Sequence, residues 1–110
     1  MDQKLKIAKE AMDEKKAVNV IVMDIRGISA VTDYFLISSG LNQNQVRAIT
    51  DNVIGRMQEA GFQLPVKEGY HEGRWILLDY GNVIVHVMQT AERDFYTLEN
   101  LWHDAKVIMM

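Results

Sequence analysis

The apolar patterning predicts an α/β (α+β) domain, a mixed β-sheet of about five strands flanked by helices. Three observations lead there. An amphipathic helical pattern opens the chain, a second and better-capped helical pattern lies near its middle, and short β-branched runs follow each of them. At 110 residues this is one domain, 1–110, large enough to bury a core without disulfide or metal staples.

Residues 2–16 place Leu5, Ala8 and Met12 at helical spacing, with Lys4, Lys9, Asp13 and Lys16 on the remaining positions. The run from Ala17 to Asp24 is short and β-branched, as a buried strand requires. Residues 26–29 interrupt it, and Tyr34 to Ser39 predicts a second strand that ends at Gly40. Asn42 then caps a long helix whose apolar stripe is Val46, Ile49, Val53 and Met57. Gln45 stands three residues after the cap, where it can answer it, and Gly61 sits where a helix end favours a left-handed residue. Gly55 interrupts this helix; either another element packs closely there or the residue is tolerated. Leu64-Pro65-Val66 reads as a short edge strand, because proline cannot donate to a ladder.

A glycine-punctuated link, 68–73, leads to the clearest signal in the chain. Trp75 to Tyr80 and Val83 to Met88 flank Gly81-Asn82, which predicts a hairpin with a two-residue type II′ turn. Thr90 to Ala105 is helical in pieces, with Phe95, Leu98, Leu101 and Trp102 on one side. With that turn, Tyr80, Leu78 and Ile76 pair with Val83, Val85 and Val87 on one apolar face that belongs to the core. The opposite face carries Trp75, Leu77 and Asp79 against Met88, His86 and Ile84.

That second face is mixed. Asp79 and His86 do not suit a dry face unless they satisfy each other or a covering helix supplies partners. Trp75, Leu77 and Met88 do not suit a solvated one without purpose. A face wet in the free chain and covered in a complex accommodates both, and Trp and Met are enriched at interface centres. Packing of the C-terminal helix on this face, with Asp79 at the rim, accommodates them as well, and a one-residue shift of register would exchange the faces.

Composition narrows the function. The chain is 48% hydrophobic and 25% charged, with a net charge of −3, which argues against a broad phosphate-neutralising surface and hence against sequence-specific nucleic-acid binding. It has no cysteine, which removes disulfides, thiolate metal sites and thiol nucleophiles and fits a reducing, cytoplasmic location. No apolar run approaches the roughly 20 residues that span a bilayer. Ser39-Gly40 before a capped helix resembles the way nucleotidyltransferase-like folds present phosphate to a helix N-terminus, but no Asp-x-Asp pair accompanies it to hold divalent metal. His71, His86 and His103 form no metal-ligand spacing, Asp24 and Asp33 suit turn and capping roles, and no serine lies in a nucleophile elbow. No catalytic residue, cofactor or metal is therefore expected, and the chain reads as a binding protein, not an enzyme.

Longer motifs run in order along almost the whole chain. They are Thr32 to Gly40, Gln45 to Ile49, Glu68-Gly69, Gly73 to Gly81, Val85-His86-Val87, Arg93 to Tyr96 and Leu98 to Trp102. In these motifs the sequence resembles the ribosomal silencing factor family, also called Iojap-like. The resemblance implies a nucleotidyltransferase-like fold without the catalytic acids. It also implies binding to the large ribosomal subunit through ribosomal protein L-fourteen, a steric block to subunit joining, and repression of translation when nutrients are scarce. Organellar relatives assist large-subunit assembly, which is one alternative role; a nucleotide-binding or transferase domain, suggested by Ser39-Gly40 and the helix after it, is the other, and family members can form homodimers. Carried onto the matching motifs, the partner contact falls on Glu68, Trp75, Leu77, Asp79 and His86, with Met88 joined to them by the hairpin pairing.

Overall fold

A computed structural model describes residues 2–96 and 106–108. Helix α1, Gln3–Glu14, starts at Asp2, whose carboxylate accepts from the Lys4 amide, and buries Leu5, Ala8, Ala11 and Met12. It ends on Lys16, which has φ +59 and is followed by the Ala17 amide bonding back to the Met12 carbonyl. A lysine thus occupies the left-handed position that usually takes glycine.

Strand β1, Val18–Asp24, pairs antiparallel with β2, Tyr34–Gly40. A bulge between Val18 and Ile21, with Asn19 at φ +51, interrupts their register. Helix α2, Gln43–Glu59, follows. Asn42 accepts from the Gln45 amide, and the Gln45 side chain answers by accepting from Leu41, one residue earlier than a regular capping box. At its end Gly61 takes φ +91, with its amide on Gln58 and the Phe62 amide on Met57, a complete Schellman motif. Gly55 has open space around the position of a Cβ, so the residue is tolerated and no element packs closely there.

The edge strand β3 is Val66–Glu68; Leu64 and Pro65 precede it, because the proline marks the approach to the strand and not its middle. The hairpin of β4, Trp75–Asp79, and β5, Val83–Gln89, has the expected register, from Trp75 opposite Met88 to Asp79 opposite Ile84. Gly81 alone in the turn has positive φ, as a type II′ turn requires. Helix α3, Thr90–Tyr96, starts directly after β5; Leu98, Leu101 and Trp102 lie outside the described residues. A sixth short strand, β6, Lys106–Ile108, pairs with β1 and completes a sheet of order β3-β4-β5-β2-β1-β6. All described neighbours are antiparallel except β2 and β5.

The mixed sheet with flanking helices is therefore as predicted. Helices α1 and α2 cover one face, where Val22, Leu36, Val85 and Leu78 form a row across four strands and are sealed together with Ile76 and Val87. The helices are tied to each other by Asn52, which donates to the Ala11 carbonyl and to Glu14, and by an Arg56–Glu14 ion pair. The hydrogen bonds from Asn52 and Arg56 hold the Glu14 carboxyl below its ordinary pKa. Lys4 joins α1 to the hairpin turn by donating to the Tyr80 carbonyl and the Asn82 side chain.

Candidate functional site: the open face of the sheet

Side-chain alternation sends Trp75, Leu77 and Asp79 to the face opposite α1 and α2. Pairing across the sheet turns them into three rows. Glu68, Leu77, His86 and Ile37 form one; Val66, Asp79, Ile84 and Phe35 form the next; Trp75, Met88 and Ser39 form the third.

Exposure falls from the sheet edge inward. Glu68 and Val66 are exposed, Trp75, Leu77, Asp79, Ile84 and Phe35 are half-buried, and Ile37 is sealed. His86 is only 4% exposed and Met88 0%, so the expectation of a face wet in the free chain is corrected for these two. The physical reason is that His86 is hemmed in by Trp75 of β4 and Phe35 of β2, while Met88 stands beside Ser39, whose hydroxyl accepts from buried Arg93 of α3, so that α3 lies over this end of the face. Met88 joins Met23, Ile25 and Ile37 in a second apolar cluster, with Ile21, Phe35 and Trp75 packed against it.

The buried imidazole is not satisfied by Asp79. Asp79 instead accepts from the Gly81 amide at 2.8 Å, which closes the hairpin turn. His86 Nδ1 accepts from Trp75 Nε1 at 3.0 Å, and Phe35 meets the imidazole edge-on with centroids 4.8 Å apart. Its Nε2 is buried and has no hydrogen-bond partner among the described residues. Burial pushes the His86 pKa down to about 4, so the ring is neutral near pH 7.

The link before β4 holds the Trp75 end of the site. Gly69 has φ +78, and a Cβ there would lie 2.2 Å from the Trp75 carbonyl oxygen, so only glycine lets this loop pass the strand. Arg47 of α2 donates to the carbonyls of Tyr70 and His71, and Gln89 binds Gly73 and Arg74 through its side chain and amide. Gly69 showed in the sequence as loop punctuation and in the family motif Glu68-Gly69, Arg47 only within the family motif Gln45 to Ile49, and Gln89 carried no signal there.

Two other sequence features find structural roles. Arg93 of α3 is 7% exposed and donates to Ser39 Oγ and to the carbonyls of Val18 and Asn19, which the β1 bulge turns towards it. Gly40 packs against the helix it precedes, since a Cβ there would lie 3.0 Å from Val46 Cγ2. Ser39-Gly40 is thus explained by packing. His71 is exposed in its loop, and His103 lies outside the described residues.

Among the described residues no three His, Asp or Glu side chains converge as metal ligands would, and no helix is long and apolar enough to cross a membrane. A cavity of about 530 Å³ lies at the edge beside β3, lined in part by Lys4, Phe62, Leu64 and Tyr80. It shares Val66 and Asp79 with the open face.

Comparison with known proteins gives a consistent result. A family profile described as ribosomal silencing factor during starvation matches residues 1–110. The ribosomal silencing factor RsfS of Bacillus subtilis is 47% identical over 107 residues, covering 96% of this chain and 91% of its own. The chloroplastic protein Iojap of Zea mays is 31% identical over 101 residues, 90% of this chain and 43% of that longer protein. Crystal structures of proteins from Chromobacterium violaceum and Bacillus halodurans superpose with TM-scores of 0.88 and 0.85 at 34% and 40% identity. They cover 94% and 96% of this chain, and 88% and 96% of their own. With the profile spanning every residue and the fold shared with its relatives, the chain belongs to the ribosomal silencing factor family.

Proposed function

We propose that the chain represses translation by binding the large ribosomal subunit through protein L-fourteen and blocking its union with the small subunit in the cytoplasm. The observation that carries this reading is the graded open face. Exposed Glu68 and half-buried Trp75, Leu77 and Asp79 form one surface, backed by a sealed apolar layer that includes Met88.

Such a surface combines the two parts of a protein interface. Trp75 and Leu77 supply apolar area that is only half satisfied in the free chain, and Glu68 and Asp79 supply negative charge at its border for a basic partner. His86 and Met88 belong to the same site as its support, since neither offers appreciable surface. A stable interface buries roughly 1,200–2,000 Å² in total, within reach of one sheet face and its adjoining loops. The block is steric: two bodies cannot occupy one surface, so repression follows occupancy and requires no chemical step.

The test is to mix the purified chain with separated ribosomal subunits and sediment them through a sucrose gradient. The reading expects free subunits to accumulate as the protein saturates. Full assembly at saturating protein would sink it. A homodimer also belongs to the proposal, and sedimentation of the free protein across a concentration series reads it directly.

A further inference from the structure

We infer that His86 is the positioning residue for Trp75: by accepting the indole N–H, it fixes how that ring is laid on the sheet and which surface is offered to a partner. The inference deepens the proposed docking role and rests on it.

Strand register makes the bond informative. Trp75 stands opposite Met88, and the residue opposite His86 is Leu77, so the indole reaches His86 only by leaning along the strand to its diagonal neighbour. It does so at a good distance, with Nε1 3.0 Å from Nδ1. An indole N–H only donates, so Nδ1 must present its lone pair and the ring proton must sit on Nε2. The acceptor is itself held in place. The imidazole is buried, and Phe35 reaches it edge-on from β2.

This arrangement has a consequence for the partner. The polar edge of Trp75 is engaged within the chain, so a partner meets the carbon surface of the half-buried ring. Apolar or cationic side chains suit that surface better than an acceptor seeking the indole N–H. Preorganisation follows as well, because a Trp side chain already held in one pose loses less freedom on binding.

A double-mutant cycle on the full chain tests the inference, with purified large subunits as the ligand and His86→Phe, Trp75→Phe and their combination as the variants. His86→Phe is expected to weaken binding about three- to tenfold, the effect of one lost hydrogen bond. His86→Asn, whose side-chain oxygen can stand near the place of Nδ1, should recover most of it. The double variant should bind no worse than the weaker single one, since both remove the same bond. In proton NMR the Trp75 indole N–H, assigned by its loss in Trp75→Phe, should move upfield in His86→Phe and return in His86→Asn.

Unchanged binding by a folded His86→Phe, equal losses in His86→Phe and His86→Asn, or additive effects in the cycle would each overturn the inference. If His86→Phe does not fold, Trp75→Phe reads the same bond from its other end, and wild-type binding by that variant overturns it too. The two readings fail separately. A wild-type chain that does not bind large subunits removes the docking role, whereas an indole signal indifferent to His86 removes the positioning.

Discussion

Leu77 and Leu78 are neighbours of the same type on the same strand, yet Leu78 is sealed beneath α1 and α2 while Leu77 is half-buried on the open face. The same contrast extends across the sheet. On the helix side, the row from Val22 to Leu78 is apolar and sealed, and it meets charge only at the edge strand, where exposed Lys67 stands opposite Leu78. On the open side, the row from Ile37 to Glu68 passes through a neutral histidine to an exposed carboxylate. One face has spent its apolar surface on folding; the other keeps part of it, bordered by charge. That difference separates residues that hold the fold from residues free to serve a partner.

The contrast is broken most directly by truncating each leucine. Leu78→Ala should cost about 2–5 kcal/mol of stability by urea unfolding, because it opens a cavity under two helices. Leu77→Ala should cost less than about 1 kcal/mol and weaken large-subunit binding instead. Equal destabilisation by both would show that the two faces are energetically alike.

His86 sharpens the comparison through pH. Its pKa is lowered from 6.5 to about 4 in the folded chain, so between those values the unfolded chain binds the extra proton. The stability linked to this ring is fully present above about pH 6.5 and is lost as pH falls towards 4, to a total on the order of 3 kcal/mol. Unfolding of the wild type at about pH 7 and pH 5, compared with a folded His86→Phe, should show the variant less sensitive to acid.

Trp75→Ala comes next, with a loss of about 2 kcal/mol in binding the large subunit, measured alongside thermal unfolding. A variant that unfolds instead would place Trp75 with the core. The smallest effects belong to the helices. Gly55→Ala, with open space for its methyl group, should stabilise the chain by about 0.5–1 kcal/mol without altering binding. Lys16→Gly should give a similar or smaller gain by relieving the positive φ. Loss of binding in either would extend the functional surface to the helix side.

Much of this contrast was legible in the sequence for local reasons. Gly81-Asn82 between two alternating runs set the hairpin register, and the register set which residues share a face. Asn42 and Gly61 marked the limits of α2 through hydrogen bonds made within a few residues. The edge strand was less legible, because Pro65 signals an irregularity near a strand without saying on which side it begins.

Depth on the open face was decided elsewhere. Nothing local to β5 shows that β2 will lie beside it in parallel, bringing Phe35 and Ile37 against His86 and Ser39 beside Met88. That pairing joins segments far apart in the chain, and together with α3, laid against Ser39 through Arg93, it buries two residues that the hairpin alone would leave wet. Within the hairpin, Asp79 turns to the Gly81 amide, and His86 has an indole instead of a carboxylate for its partner. Thus the sequence by itself determined the elements, the hairpin and its two faces, because periodicity and turn chemistry act over a few residues. Only the tertiary structure decided which side chains of the open face remain at the surface, because burial depends on strands that meet across the whole sheet.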